Sequence, residues 1–122
     1  MTRHPPNSPQ TARVRGNAFE RRVRDTLERL DWYVLKSAAS RTPVDLLAVS
    51  PWRVRWCIQA KGRTGTLGPG DRDAFFAWAE RWLAIPILAQ PQIGRGIRWR
   101  AWSGTRWIET SPQTASDVER PW

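Results

Sequence analysis

Pro43-Val44-Asp45-Leu46-Leu47-Ala48-Val49, followed across Pro51-Trp52-Arg53 by Val54-Arg55-Trp56-Cys57-Ile58-Gln59-Ala60-Lys61, is the stretch that decides the reading of this chain. Both runs have the length and the β-branched or aromatic content of strands, and the Pro-Trp-Arg piece between them is a turn. Asp45 is the only carboxylate between Asp31 and Asp71. An ionised acid in an apolar strand is costly to bury alone, so a metal ion or the ammonium of Lys61 is its economical partner. Of the chain's 20 basic residues only Lys36 and Lys61 are lysines. A lysine among so many arginines points to a compact, orientable charge that a guanidinium does not imitate.

Period-two alternation in the second run places Val54, Trp56, Ile58 and Ala60 on one face and Arg55, Cys57, Gln59 and Lys61 on the other, so Gln59 and Lys61 point the same way. Upstream, from about Asn17 to Leu30, Phe19, Val23, Leu27 and Leu30 recur at helical spacing and give one buried face. Glu20 lies at the edge of that face, with Arg24 one turn on as a possible surface partner. Trp32 to Lys36 reads as a short strand and Ser37 to Pro43 as a polar loop. Downstream, the glycine-rich segment Gly62 to Gly70 is a loop able to approach a phosphate backbone. Asp71 has the character of an N-cap for a helix to about Leu83, with Phe75, Trp78, Ala79 and Trp82 on its buried side. Ile85 to Gln90 and Ile97 to Trp102 are two further strands around a Gly94-Arg95-Gly96 turn, which makes the order α-β-β-β-α-β-β. Residues 1–10 read as a disordered basic tail, 11–109 as one folded domain, and 110–122 as a polar C-terminal tail.

Composition narrows the function. The chain has 122 residues, a formal charge of +9 and a pI near 11.5, so an extended polyanion, nucleic acid above all, is the expected partner. No run approaches a membrane span and no signal-peptide core is present, which points to a cytoplasmic protein without a membrane partner. Cys57 is the only cysteine and His4 the only histidine, so a disulfide framework, a cysteine-rich zinc site and histidine acid/base catalysis are all disfavoured. Nine tryptophans exceed what one small core normally holds, which suggests an aromatic dimer interface or base stacking, with Trp56, Trp78 and Trp82 assigned to core or dimer contact.

Taken in order, Gly16-Asn17-Ala18-Phe19-Glu20 on a helix, Pro43-Val44-Asp45 at a strand start and Ile58-Gln59-Ala60-Lys61 on the next strand resemble the PD-(D/E)xK nucleases, most closely the archaeal-type Holliday junction resolvases. The resemblance covers roughly Arg15 to Trp102 and implies a restriction-endonuclease-like α/β core, a mixed central sheet flanked by helices. It implies an endonuclease that hydrolyses phosphodiesters of four-way DNA junctions as a homodimer, with Mg²⁺ as cofactor, Mn²⁺ as a substitute and no small-molecule cofactor. Asp45 would be the central metal ligand, joined by Glu20, the side-chain carbonyl of Gln59 and the backbone carbonyl of Ala60, with Lys61 orienting the attacking water. A loop serine that aids catalysis would be Ser40, or else Ser37.

Position 59 departs from the pattern, which usually has Glu there. Restriction-type relatives carrying Gln are regarded as active, so Gln59 reads as a tolerated substitution, the other reading being a site of weak metal binding. Arg13, Arg15, Arg21, Arg22, Arg41, Arg63 and Arg72 are the candidate contacts to branched DNA. Two further functions stay open at this point: a restriction or repair nuclease of the same fold on linear DNA, and a catalytically weak DNA-binding protein.

Overall fold

In the computed structural model the described residues are 9–37, 43–94 and 96–113, with the side chains of 9–15 outside the description. The amphipathic segment forms α1 (Pro9–Arg29), whose Val23 and Leu27 are fully buried, with Phe19 and Leu30 packed beside them. The helix starts well before the expected Asn17. Pro9 suits a first helical turn, where its missing N–H costs nothing, and Gln10-Thr11-Ala12 carries no apolar periodicity that would have marked a start. Of the expected tail, residues 1–8 lie outside the described residues.

Among the described residues six strands follow in one sheet: β1 (Tyr33–Lys36), β2 (Leu46–Val49), β3 (Arg55–Ala60), β4 (Ile85–Pro91), β5 (Ile97–Trp102) and β6 (Trp107–Thr110). They lie side by side in chain order, and every neighbouring pair is antiparallel except β3 and β4. A parallel pair needs a crossover, supplied here by α2 (Pro69–Arg81). The architecture is thus the expected α/β one, a mixed sheet between helices.

Two details differ from the expectation. Gly68, not Asp71, is the N-cap of α2; Pro69 takes the first helical position, which leaves Asp71 in the first turn, where a carboxylate complements the helix dipole. The sixth strand was not anticipated. A tight turn at Ser103-Gly104-Thr105-Arg106 returns the chain, with Gly104 at φ 106° and the Ser103 Oγ accepting the Arg106 N–H at 3.2 Å, and Trp107–Thr110 pairs back on β5.

The alternation of β3 is realised on both faces. Trp56 and Ile58 enter the core under α1 with Leu46, Ala48, Ile87 and Ala89, whereas Cys57 packs under α2 with Val44, Phe75 and Ala79. Burial pushes the Cys57 thiol up to about 12, which makes it inert packing. The tryptophan surplus is absorbed largely within the chain. Trp32, Trp56 and Trp99 form a row with ring centroids 4.6 and 5.6 Å apart, Trp78 and Trp82 meet edge to face beside the α2 core, and Phe76, Trp102 and Trp107 form a third group. Among the described tryptophans only Trp52 is largely exposed, so tryptophan number alone does not require a second copy of the chain. No helix among the described residues is long and apolar enough to cross a membrane.

Candidate active site

Antiparallel pairing of β1, β2 and β3 brings the end of β1, the approach to β2 and the end of β3 to one end of the sheet. Asp45 precedes β2 and its main chain is held on both sides: its carbonyl accepts the Ser37 N–H at 2.9 Å, and its own N–H donates to the Ile58 carbonyl at 2.9 Å. Its backbone therefore has little freedom. The carboxylate Oδ2 accepts the Ala60 N–H at 2.8 Å.

Burial raises the Asp45 carboxyl above the usual range, and the Ala60 N–H opposes that shift. Glu20 pushes it further up, while Lys61 and Lys36 pull it down. Charges on α1, at the end of β1 and just after β3 are thus felt at one carboxylate. Lys61 acts on it as a charge rather than as a direct ion-pair partner among the described residues, so of the two partners expected from sequence the ammonium does not contact Asp45, and a backbone amide does. Glu20 does not pair with Arg24, which bonds Glu28 at 2.7 Å; it faces Lys36 at 3.4 Å and is 17% exposed. A cleft of about 200 Å³ lined by Asn17, Glu20, Arg21, Arg24, Lys36 and Leu46 opens beside this pair.

Gln59 follows Ile58 on β3, and its side-chain Oε1 is buried with no hydrogen-bond partner among the described residues. A buried carbonyl left in that state costs about 1–3 kcal/mol, which a cation would offset. No group of three or more His, Cys, Asp or Glu suited to a metal occurs among the described residues. The available set is two carboxylates, Glu20 and Asp45, plus the free amide oxygen of Gln59. All are hard oxygen donors, the kind Mg²⁺ takes, so the residues present fit such an ion.

Of the arginines expected at DNA, Arg21 and Arg22 are exposed on α1, and Arg63 is exposed on the glycine loop after β3. Arg22 donates to the Gly96 carbonyl at 3.2 Å. Arg72 is already engaged, with its guanidinium over the Trp102 ring at 5.6 Å from the centroid. Arg13 and Arg15 lie on α1 with side chains outside the description, and Ser40 and Arg41 lie outside the described residues. Ser37 is placed next to Asp45 by its backbone bond.

Sequence reasoning passed over two residues here. Lys36 joins the charge cluster, and its rarity as one of two lysines was the available signal. Gln90, buried on β4, bonds the loop after Lys61, and nothing in its local sequence marks it.

No protein-family model matches the chain, and no curated protein does. Among solved structures it is similar to the Hjc Holliday junction resolvase of the archaeal hyperthermophile Archaeoglobus fulgidus, with a TM-score of 0.61 and 20% identity over 70% of each chain. The chain therefore has the fold of an archaeal Holliday junction resolvase.

Proposed function

We propose that this protein is a metal-dependent endonuclease that cuts four-way DNA junctions as a homodimer. The observation that carries the reading is the Asp45 carboxylate, which accepts the Ala60 N–H and feels the charges of Glu20, Lys61 and Lys36, together with the Gln59 oxygen on β3, buried with no partner among the described residues. Glu20, Asp45, Gln59 and the Ala60 carbonyl would hold Mg²⁺, or Mn²⁺ in its place. When bound, the ion would neutralise charge developing on the phosphodiester and lower the pKa of the attacking water.

The chain's own residues do the rest. The Ala60 N–H orients the Asp45 carboxylate by occupying Oδ2. Lys36 holds Glu20 in place. The ammonium of Lys61 orients the attacking water and favours its deprotonated form. Arg21, Arg22 and Arg63, with Arg13, Arg15, Arg41 and Arg72, would contact phosphates, and Ser40 or Ser37 would assist catalysis. Symmetric incision across a branch requires two such sites at fixed separation, hence the homodimer. Tyr33 and Leu35, exposed on the edge strand β1, are apolar surface that a second copy would cover. The protein so described acts inside the cell, on DNA, through one domain that includes the elements from Pro9 to Thr110.

Gln59 is the residue on which a second reading rests. With an amide where the motif has a carboxylate, the same fold serves as a DNA-binding protein that cleaves weakly. A magnesium titration of cleavage separates the two readings. Gln59→Glu is expected to lower the half-maximal Mg²⁺ concentration, and Gln59→Leu to raise it at least about tenfold. Because the Oε1 has no partner to lose among the described residues, the Leu variant should melt no lower than wild type. A common midpoint for all three proteins removes Gln59 from the metal site and the motif assignment on β3 with it.

Association with DNA is expected to weaken steeply with salt, with a log-log slope of about −4 or steeper as several arginines displace counterions. Fluorescence anisotropy over a salt series measures it. A flat response would mean that the +9 charge serves something other than a phosphate backbone.

A further inference from the structure

Gln90 is a buried polar side chain near the end of β4, 4% exposed, where an apolar residue would fill the space without the cost of burying an amide. Its partners explain it. The Nε2 donates to the carbonyls of Gly62 at 2.9 Å and Gly65 at 2.8 Å, and more distantly to that of Arg63 at 3.4 Å. Two amide hydrogens thus serve three carbonyls of the loop that leaves β3. The Oε1 is taken by the Arg100 guanidinium from the neighbouring strand β5, so the amide cannot flip or swing away.

The clasped loop touches Lys61 directly. A turn closed by the Gly65 N–H on the Gly62 carbonyl at 2.9 Å folds Gly65 back, and a Cβ built there would lie 3.1 Å from the Lys61 Cβ. Gly65 therefore packs against the Lys61 side-chain root with no room to spare. On its other side the Lys61 backbone is fixed by its N–H to the Ala89 carbonyl at 3.0 Å, one residue before Gln90 on β4. Lys61 is held by the strand behind it and by the loop in front, and both holds lead to the same place.

We propose that Gln90 is a positioning residue: by clasping the Gly62, Arg63 and Gly65 carbonyls, with Arg100 locking its amide, it presses the glycine loop against Lys61 and fixes where the ammonium sits relative to Asp45. The clasp also turns three carbonyl oxygens inward, so that they do not face an incoming phosphate. This inference rests on Lys61 acting in the proposed nuclease site, and the experiment reads the clasp separately from the chemistry.

With only Lys36 and Lys61 in the chain, protein labelled with ¹³C-lysine gives two ε-methylene signals, assigned with Lys36→Arg. Two variants are compared with wild type. Gln90→Glu keeps an acceptor for Arg100 but cannot donate to the loop, and Gln90→Met keeps length and apolar bulk without charge or donor. In both, the Lys61 signal should move toward that of a freely rotating lysine while the Lys36 signal stays, and the 62–65 amides should exchange at least about tenfold faster. Cleavage at saturating DNA should fall at least about tenfold, with the half-saturating DNA concentration within about threefold, because a misplaced group costs rate rather than binding. A merely structural Gln90 would lower stability but leave the Lys61 signal of the folded variants in place, and that result overturns the proposal. So does an unchanged cleavage rate in a variant whose Lys61 has moved. If wild type cleaves no DNA, the nuclease reading is what has failed, and the lysine signals with loop exchange still decide the clasp.

Discussion

Asp45→Asn is expected to reduce cleavage by about a thousandfold or more while DNA affinity stays within about threefold, since binding rests on arginines and phosphates whereas Asp45 is the central ligand of the site. The free protein should not be destabilised by the change. Burial is the largest influence on the Asp45 carboxyl and raises its pKa, so at neutral pH the ionised group opposes folding; Asn removes that charge and can still accept the Ala60 N–H. The sign fixes the pH dependence. A carboxylate whose folded pKa is raised costs stability above that pKa and costs none once pH falls below its unfolded value, so any stability advantage of Asn should be present at neutral pH and vanish in acid. Thermal melts in EDTA across that range, with cleavage and anisotropy measured on the same preparations, check all three statements. Retained cleavage, or loss of binding in a folded variant, removes Asp45 from its assigned role.

Trp56→Ala should have the largest effect on stability. Trp56 is 1% exposed on the central strand β3, between Trp32 and Trp99 and under α1. Truncating a buried tryptophan to alanine costs about 3–5 kcal/mol, a large share of the 5–15 kcal/mol that a domain of this size possesses. The melting temperature should fall by more than about 10 °C in differential scanning calorimetry. Trp52→Ala is the control: its ring is 64% exposed on the β2–β3 turn, and its loss should change the melt little.

What could be read from sequence, and what could not, follows from how local each signal is. The α1 stripe of Phe19, Val23 and Leu27 and the alternation of β3 are repeats within single elements, and both appear where periodicity puts them. Asp45 stood out as one acid in an apolar run. Its actual anchor, a backbone N–H contributed by Ala60, depends on β2–β3 register, which no residue type announces. The Glu20–Lys36 pair joins α1 to β1 across the fold, whereas the sequence offered only the near neighbour Arg24. β6 escaped notice because a four-residue turn and a four-residue strand are too short for period counting, and tryptophans spread along the chain suggested an interface when three of them stack in one core. Gln90 is the extreme case. Its meaning lies wholly in the loop carbonyls that β4 brings to it.

Metal-dependent cleavage of branched DNA can be read on one gel. Matched four-way junction, fork and linear duplex, end-labelled on each strand, are incubated with wild-type protein in Mg²⁺, in Mn²⁺ and in EDTA. Paired, symmetric nicks in the junction with either metal, little cutting of the linear duplex and none in EDTA are the predicted result. Cleavage that persists in EDTA, or tight junction binding without cleavage in either metal, would mean that the protein is not a metal-dependent junction endonuclease.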